Sequence, residues 1–465
     1  MSIETAFYCM AFLVYFIVFS LIYMYVKKII SAQGFNTLSV FILTFSIFYF
    51  VVPFVQTFFV SYRDNTSLFT RMLNQMSNEK VFLNFLIAAI CLLLIIVSYN
   101  LKLDFKFKRT NFERLTEAKV SQKGKGLIFK KINYVADILF ILSVGSILVL
   151  IIEIGSLKDY LALGSLTRGL DKDPTQYISS SSLQLVTLSA IILTTPYLYM
   201  YLYRTSKGKL TMVKLIVSLT FSILFLFYNQ GRAPIIIFAL PFLFSFRRKK
   251  KKGFLGLTIV FLIGLFALNY LDALFNYLSY GYYQVEEDDV NFVTKFLSEF
   301  SYPFANFSLR NELLSFVGNR YMYDYIIWPF TMVPSSLLNI IGLSKTSIVA
   351  VSTLNTEAYG YFLGVIPSGG IPVDFLTFNF YQLGYVSLIF ICLIVGRAVR
   401  KMDEIFYFFK DNFPIKVLLY RLNFSIIAIL NNADISAIVR NRLDVVVLFI
   451  VLLYIYKKSK KSLMQ

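Results

Sequence analysis

The sequence predicts an all-α fold, a polytopic transmembrane helix bundle of about 11 spans. Hydrophobic residues make up 57% of the 465 residues and charged residues only 15%. Soluble domains contain about 45–50% apolar and about 25% charged residues, so this chain cannot cover its surface with polar groups. The apolar residues also cluster into runs as long as a bilayer is thick, and basic residues concentrate in alternate connections between these runs.

The predicted spans are the apolar runs that can cross about 30 Å of hydrocarbon, which takes roughly 17–25 residues. We place ten of them at 5–26, 38–60, 81–99, 133–153, 180–202, 211–228, 254–271, 379–396, 414–430 and 443–456. A shorter run at 233–246 ends at a basic stop and is counted as the eleventh. The first run lacks the charged start and cleavage site of a signal peptide, so we expect a retained helix.

The distribution of positive charge predicts the orientation. Most of the 45 Lys and Arg residues lie in six alternate connections, the densest of which is the unbroken run at 247–252. Basic connections remain in the cytoplasm, so the N-terminus is expected outside and the C-terminus inside. The basic runs lack interleaved aromatic residues and a soluble module, so we expect contacts with membrane lipids and no nucleic-acid partner.

The composition also excludes several chemistries. The chain has no histidine, which excludes histidine-ligated metals and nucleophiles that need a histidine base. Cys9, Cys91 and Cys392 lie inside apolar runs without paired spacing, so neither a disulfide framework nor a cysteine metal site is expected. Four consecutive acids at 286–289 are typical of a solvated loop tip, with a metal site as the less favoured alternative. We therefore expect no metal and no cofactor.

A long connection divides the chain into three predicted regions. Residues 1–272 form an N-terminal bundle of about eight spans, residues 273–378 an extracytoplasmic loop, and residues 379–465 the C-terminal spans. Loops of this length are uncommon unless they are functional. Amphipathic pieces at 292–316 and 322–342 are expected to form short helices that lie on or dip into the outer leaflet and cover a cavity between spans.

Three arginines at predicted outer boundaries are candidate ligands for a phosphate or pyrophosphate group. Arg232 follows Gly231 in a tight turn, and Pro234 suits the first turn of the next helix. Arg440 and Arg442 precede the last span. Guanidinium groups bind phosphate oxygens bidentately and stay charged when they are partly desolvated. A snorkelling, purely interfacial role remains the alternative for Arg232.

The long connection supplies the acidic candidates. Glu299, Glu357 and Asp374 could each orient or deprotonate a sugar hydroxyl, and for each one a structural role is equally open. Arg310 and Arg320 lie in the same connection and are further candidates for pyrophosphate binding.

These residues resemble the Wzy-type oligosaccharide repeat-unit polymerases of O-antigen, common-antigen and capsule synthesis. The likeness covers residues 212–456 and has three ordered parts, most similar to the enterobacterial common antigen polymerases. The first is the turn at 231–237, which opens an apolar helix. The second is the long connection, with its motifs at 301–303, 333–335, 355–357 and 367–370 and its continuation at 380–385. The third is the arginine segment around 440–442.

The resemblance implies a GT-C-like architecture in a bacterial cytoplasmic membrane and a metal-independent glycosyltransferase. Its donor and acceptor would be undecaprenyl-pyrophosphate-linked oligosaccharides, and flippase and chain-length regulator proteins would be further partners. Arg232 and either Arg440 or Arg442 would hold the pyrophosphate. Related ligases and some polymerases place a histidine in the long loop, and this chain has none.

We expect an inverting transfer on the outer face of the membrane, with the arginines neutralising the departing pyrophosphate. Two alternatives remain open. A lipid-linked oligosaccharide flippase or other polysaccharide transporter would favour evenly short loops and internal repeats, which the sequence lacks. An O-antigen-type ligase would share the chemistry and use another acceptor.

Overall fold

The computed structural model of the chain describes residues 3–59, 68–101, 122–166, 179, 182–229, 231–245, 274, 277, 292–331, 333, 335–340, 342, 348–364, 370–409 and 412–464. Every regular element within these residues is a helix, which confirms the all-helical class.

The helices of the first half are α1 (Ile3–Gln33), α2 (Thr37–Ser46), α3 (Val52–Phe58), α4 (Leu68–Asn74), α5 (Asn78–Asn100), α6 (Gln122–Ile154), α7 (Leu157–Leu166), α8 (Ser182–Ser189), α9 (Thr195–Ser206), α10 (Lys209–Asn229) and α11 (Arg232–Ser245). A π-helical turn at Ile47–Val51 joins α2 to α3, and a 3-10 turn at Ala190–Thr194 joins α8 to α9. Each of these pairs is therefore one continuous, locally distorted helix.

The helices of the second half are α12 (Phe292–Ser308), α13 (Arg310–Val317), α14 (Tyr323–Thr331), α15 (Ser335–Ile340), α16 (Val351–Leu363), α17 (Phe375–Phe408), α18 (Lys416–Asn431), α19 (Ile435–Asn441) and α20 (Leu443–Met464). Helix α17 is broken at Leu383 and Gly384. Helices α19 and α20 follow each other with one non-helical residue, Arg442, between them.

Seven helical segments among the described residues are long and apolar enough to cross a membrane, so the chain is a helical multi-pass membrane protein. They are Glu4–Ala32, Thr37–Phe58, Asn78–Asn100, Phe129–Ile154, Gln184–Ser206, Lys209–Asn229 and Phe375–Phe408. Each coincides with a predicted span. Predicted spans 233–246, 414–430 and 443–456 correspond to α11, α18 and α20, which are shorter or carry more charge, and span 254–271 lies outside the described residues. The total of 11 membrane spans remains a prediction.

Helix α12, at the start of the long connection, is packed into the bundle. Its side chains Leu297, Phe304 and Phe307 are fully buried. They belong to the same apolar core as residues of α2, α5 and α17. Close packing against neighbouring helices stabilises this position, because lipid tails are as apolar as these side chains and transfer from water supplies no gain. This part of the connection is therefore inside the bundle.

The break in α17 is filled by another part of the connection. Gly384 has a φ of +62°, which is in the region that favours glycine. The helix carbonyls freed by the break, those of Tyr381 and Gln382, accept hydrogen bonds of 2.8 Å from the backbone N–H groups of Arg320 and Tyr321. The break therefore leaves these two polar groups satisfied inside the protein.

Two apolar cores lie on either side of α11 and α18. One contains residues of α1–α5, α12, α16 and α17, and the other contains residues of α6, α7, α9, α10 and α20. Helices α11 and α18 contribute to both cores. Ile237 of α11 and Phe424 of α18 belong to the first core, and Phe238 and Leu418 belong to the second. Arg421 of α18 consequently lies between the two halves of the bundle.

Candidate active site

One unusual electrostatic feature in the described part of the chain is an ion pair in the protein interior. Arg421 and Asp444 are 1% and 0% exposed, and the guanidinium donates to the carboxylate. The second Arg421 nitrogen, Nη1, donates to the Ile237 carbonyl at 3.3 Å, and the guanidinium lies 5.5 Å from the centre of the Tyr197 ring. Thr194 Oγ1 donates to the Asp444 carbonyl at 2.6 Å. Arg421 thus connects α18 to α9, α11 and α20.

Arg442 lies at the break between α19 and α20, two residues before Asp444. Its φ of −131° and ψ of 36° end α19, and its carbonyl accepts from the N–H of Val445 at 2.9 Å. Arg442 is a half-buried residue that interacts electrostatically with both Asp444 and Arg421 and forms no ion pair within the described residues. Among the described side chains here, two guanidinium groups therefore share one carboxylate, which leaves one excess positive charge.

An excess charge of this kind is costly in a membrane protein. Ionisable groups away from water normally pair with an opposite charge or line a water-filled cavity, and they mark functional sites. Because Arg421 and Asp444 already pair with each other, the partly exposed Arg442 carries the uncompensated charge. An anion that reaches Arg442 would gain a strong, charge-assisted interaction.

The backbone of Arg232 begins α11 in the same region. Arg421 holds the Ile237 carbonyl, and Ile237 follows Arg232 by five residues, about 7.5 Å of helix. The backbone of Arg440 lies in α19, two residues before Arg442. The side chains of Arg232 and Arg440 lie outside the described part of the structure, so their convergence on one pocket stays a prediction.

Helix α19 is attached at its start to the helix that carries Glu357. Asp434 caps α19 by accepting from the Ser436 N–H at 2.9 Å. Its other oxygen accepts from the Ser352 N–H at 3.1 Å and the Ser352 hydroxyl at 2.6 Å, at the first turn of α16. Glu357 follows Ser352 by five residues on α16. Asp434 therefore joins the arginine-bearing segment to the helix that carries one of the predicted acids.

Glu357 and Asn355 occupy opposite faces of α16, as residues two apart on a helix do. Asn355 is fully buried, and its amide nitrogen donates to the Pro372 carbonyl at 2.9 Å. Tyr381 donates to its side-chain oxygen at 2.7 Å. Glu357 is exposed and makes no hydrogen bond or ion pair with another described residue. Its carboxylate is therefore accessible to a ligand.

Asp374 is fully buried and caps the start of α17. It accepts from the backbone N–H groups of Leu376 at 3.0 Å and Thr377 at 3.2 Å, from the Asn306 amide at 2.7 Å, and from the Tyr49 hydroxyl. Burial raises the pKa of this carboxyl, and the hydrogen bonds from Thr377, Tyr49 and Asn306 oppose that rise. Four neutral donors occupy its oxygens, so its evident role is to join α17 to α2–α3 and α12.

Arg310 is also occupied by protein partners. It is 3% exposed and donates to the Asn84 side chain at 2.7 Å, the Phe307 carbonyl at 2.8 Å and the Tyr385 hydroxyl at 2.8 Å. Its guanidinium lies 4.3 Å from the centre of the Phe307 ring. These contacts tie α13 to α5, α12 and α17. No described residue provides Arg310 with an ion pair.

Arg320 forms a bidentate pair with a nearly buried carboxylate. Its Nε and Nη2 lie 3.0 and 2.9 Å from the two Asp324 oxygens, and Nη2 also donates to the Val349 carbonyl at 3.1 Å. The Gln382 amide donates to Asp324 at 2.9 Å. The pair thus supports the break in α17, and the structure does not bring Arg320 or Arg310 to Arg442 through any contact within the described residues.

Glu299, the third predicted acid, lies on α12, and its side chain is outside the described part of the structure. The acidic run at 286–289 is outside it too. Within the described residues no group of three or more His, Cys, Asp or Glu side chains could hold a metal ion.

Sequence reasoning assigned no role to Arg421, which is the centre of the buried ion pair. The sequence does contain an indication of this ion pair. Arg421 falls inside the predicted span 414–430 and Asp444 near the start of 443–456, and opposite charges inside neighbouring spans usually pair. What the sequence could not provide was the contact between α18 and α20.

The comparisons with known proteins do not identify the chain: no protein-family model, no curated protein and no solved structure matches it. The functional interpretation therefore depends on the residues themselves.

Proposed function

We propose that the protein is a membrane glycosyltransferase that polymerises undecaprenyl-pyrophosphate-linked oligosaccharide repeat units into a surface polysaccharide. The observation that carries this proposal is the partly exposed Arg442 at a helix break, beside a buried Arg421–Asp444 pair that cannot neutralise it. A lipid diphosphate is an anion that a membrane protein can reach from the bilayer. The resemblance to the Wzy-type polymerases supports the same substrate.

In the proposed reaction, the donor is a growing glycan on undecaprenyl pyrophosphate and the acceptor is the terminal sugar of a new repeat unit. Arg442, together with Arg232 and Arg440, stabilises the negative charge that develops on the departing pyrophosphate. The acceptor hydroxyl attacks the anomeric carbon, the bond to the pyrophosphate breaks, and the configuration inverts. Neither a metal ion nor another cofactor takes part.

Glu357 is the favoured proton acceptor of the three predicted acids. Its exposed carboxylate lies on the helix that Asp434 joins to α19, whereas Asp374 is buried and holds four donors. A general base must come within hydrogen-bond reach of the acceptor hydroxyl, and an exposed side chain meets that condition without rearrangement of the core.

The charge pattern supports a site on the outer face of the bacterial cytoplasmic membrane. With the predicted orientation, the connections that contain Arg232, Glu357 and Arg442 all lie outside, opposite the basic connections. Lipid-linked repeat units delivered by a flippase would meet the enzyme on this side. Chain-length regulators are further proposed partners.

The test is chain extension by the purified protein in nanodiscs. Lipid-linked repeat units are supplied with a chelator and without any nucleotide, and the products are separated by length. Chain extension is expected with the unaltered protein and is expected to fall by about 100-fold in Arg442→Gln, the usual loss for one transition-state donor. Arg71→Gln is the matched control, because Arg71 is exposed on α4 at the same predicted face.

Two results would contradict the proposal. If labelled lipid crosses a vesicle bilayer and no chain grows, the protein is a transporter. If the glycan is transferred only to a non-repeat acceptor such as a lipid A core, it is a ligase. An Arg442→Gln variant that extends chains as fast as Arg71→Gln would remove Arg442 from the mechanism.

A further inference from the structure

The role of the buried ion pair follows from counting charges around Arg442. Asp444 is two residues from Arg442 and is the described carboxylate that interacts with it. Without Arg421, the negative charge of Asp444 would offset the positive charge of Arg442. Arg421 is instead in contact with Asp444, and both partners are almost completely buried. The charge of the carboxylate is therefore already paired through Oδ2, and Oδ1 is buried without a hydrogen-bond partner among the described residues.

We propose that Arg421 is a positioning residue that neutralises Asp444 and so keeps the Arg442 guanidinium available to bind a diphosphate anion. Arg421 does not itself contact the anion. Its guanidinium is 1% exposed and is fixed by Asp444, the Ile237 carbonyl and the face of the Tyr197 ring. The identity of the anion rests on the proposed function, whereas the charge relation among the three side chains does not.

The ion pair has a second effect, because it determines where the free charge lies. Arg421 holds α11, α18 and the first turn of α20 together. The start of α20 is thereby fixed, and Arg442 lies immediately before it. A diphosphate at Arg442 would also lie close to the first turn of α20, whose N–H groups are the positive end of the helix.

The proposal predicts a pattern that a merely structural role would not produce. Arg421→Gln frees Asp444 to pair with Arg442, so the net charge of the three residues falls from one positive to zero. The double variant Arg421→Gln/Asp444→Asn has neutral amides in place of the buried pair and returns the net charge to one positive. Arg421→Lys keeps the original charges and serves as the conservative control.

The experiment measures binding of inorganic pyrophosphate by isothermal titration calorimetry to the full-length protein in nanodiscs of uncharged lipid. Moderate salt screens the exposed basic connections, while a partly buried site is screened less. Affinity is expected to fall at least about 10-fold in Arg421→Gln, equivalent to about 1.4 kcal/mol. It should return to within about 3-fold of the unaltered protein in the double variant and in Arg421→Lys.

Unaltered affinity in Arg421→Gln would overturn the proposal. A double variant that binds as weakly as Arg421→Gln would also overturn it, since Arg421 would then contact the anion or act through structure alone. Thermal unfolding of each variant confirms that folded protein is compared. If the binding pattern holds but no chain grows in the extension assay, the polymerase proposal fails and this inference stands.

Discussion

Asp374 and Asp444 are both fully buried carboxylates at the start of a long helix, yet they are held in different ways. Asp374 receives four hydrogen bonds from neutral donors, whereas Asp444 receives a guanidinium. Burial raises the pKa of Asp374, the hydrogen bonds oppose that rise, and no cation is among its described partners. The charge of Asp444 is required, because Arg421 has no other described carboxylate.

Asp374 and Asp444 therefore have two different roles in the same membrane protein. At Asp374 the carboxylate works as a hydrogen-bond acceptor that caps α17 and links it to α2–α3 and α12. At Asp444 the carboxylate determines the net charge of an interior site. The same conservative substitution, aspartate to asparagine, should therefore have very different effects at the two positions.

The largest effect is expected for Asp444→Asn. Removing one partner of a buried ion pair leaves an uncompensated charge and typically costs about 3–5 kcal/mol. The free energy of unfolding, measured by titrating the protein in mixed micelles with SDS, should fall by this amount. If the free energy of unfolding falls by less than about 1 kcal/mol, the Arg421–Asp444 pair is hydrated. Asp444 would then not differ from Asp374 in the way described.

A smaller effect is expected for Asp374→Asn, about 1–2 kcal/mol in the same titration. Asparagine is a good N-cap and keeps an oxygen for the Leu376 and Thr377 N–H groups, but one side-chain donor loses its acceptor. If this variant loses as much stability as Asp444→Asn, Asp374 must pair with a cation, and the contrast between the two acids disappears.

Tyr49→Phe tests how much one neutral hydrogen bond to Asp374 contributes to stability. It removes one neutral hydrogen bond to the carboxylate and leaves the aromatic ring in place, so we expect a loss of about 1 kcal/mol. The matched control is Thr194→Val, which removes the neutral hydrogen bond to the Asp444 carbonyl and leaves the ion pair intact. Both variants should retain chain extension. A large loss of activity in Tyr49→Phe alone would indicate a catalytic role for Asp374.

The smallest effect on stability is expected for Glu357→Gln. Glu357 is exposed and has no hydrogen bond or ion pair with a described residue, so the free energy of unfolding should change by less than about 0.5 kcal/mol. Chain extension should nevertheless fall by about 100-fold or more, because the proposed proton acceptor is lost. If Glu357→Gln extends chains normally and Asp374→Asn does not, the proton acceptor is Asp374 and not Glu357.

The membrane class was predictable from the sequence because bilayer thickness dictates the length of apolar runs. All seven of the clearest spans coincide with predicted ones. The interior position of α12 was not predictable, since its Lys295 and Glu299 give it the pattern of an amphipathic surface helix. Only the contacts with other helices decide that its apolar face is buried in the bundle.

Part of the candidate site was predictable from the positions of charged residues relative to the apolar runs. Charged residues at the boundaries of apolar runs point to Arg232, Arg440 and Arg442, because such positions are costly unless they are used. The sequence also highlighted Arg310 and Arg320, which the structure ties to neutral groups and to Asp324, respectively. Asn84 and Tyr385, which hold Arg310, come from elements distant along the chain, and no local pattern reveals such contacts. Asp324, in contrast, lies only four residues after Arg320.

The proposed site requires the arginines at the starts of α11 and α20 to lie together, and the distance between them can be measured. Spin labels at Arg232→Cys and Arg442→Cys, with Cys9, Cys91 and Cys392 replaced by serine, can be measured by pulsed electron paramagnetic resonance in nanodiscs. The link through Ile237, Arg421 and Asp444 places the two backbones within about 25 Å, so the labels should be less than about 30 Å apart. A distance above about 40 Å would contradict the account, because no single diphosphate could then contact both arginines.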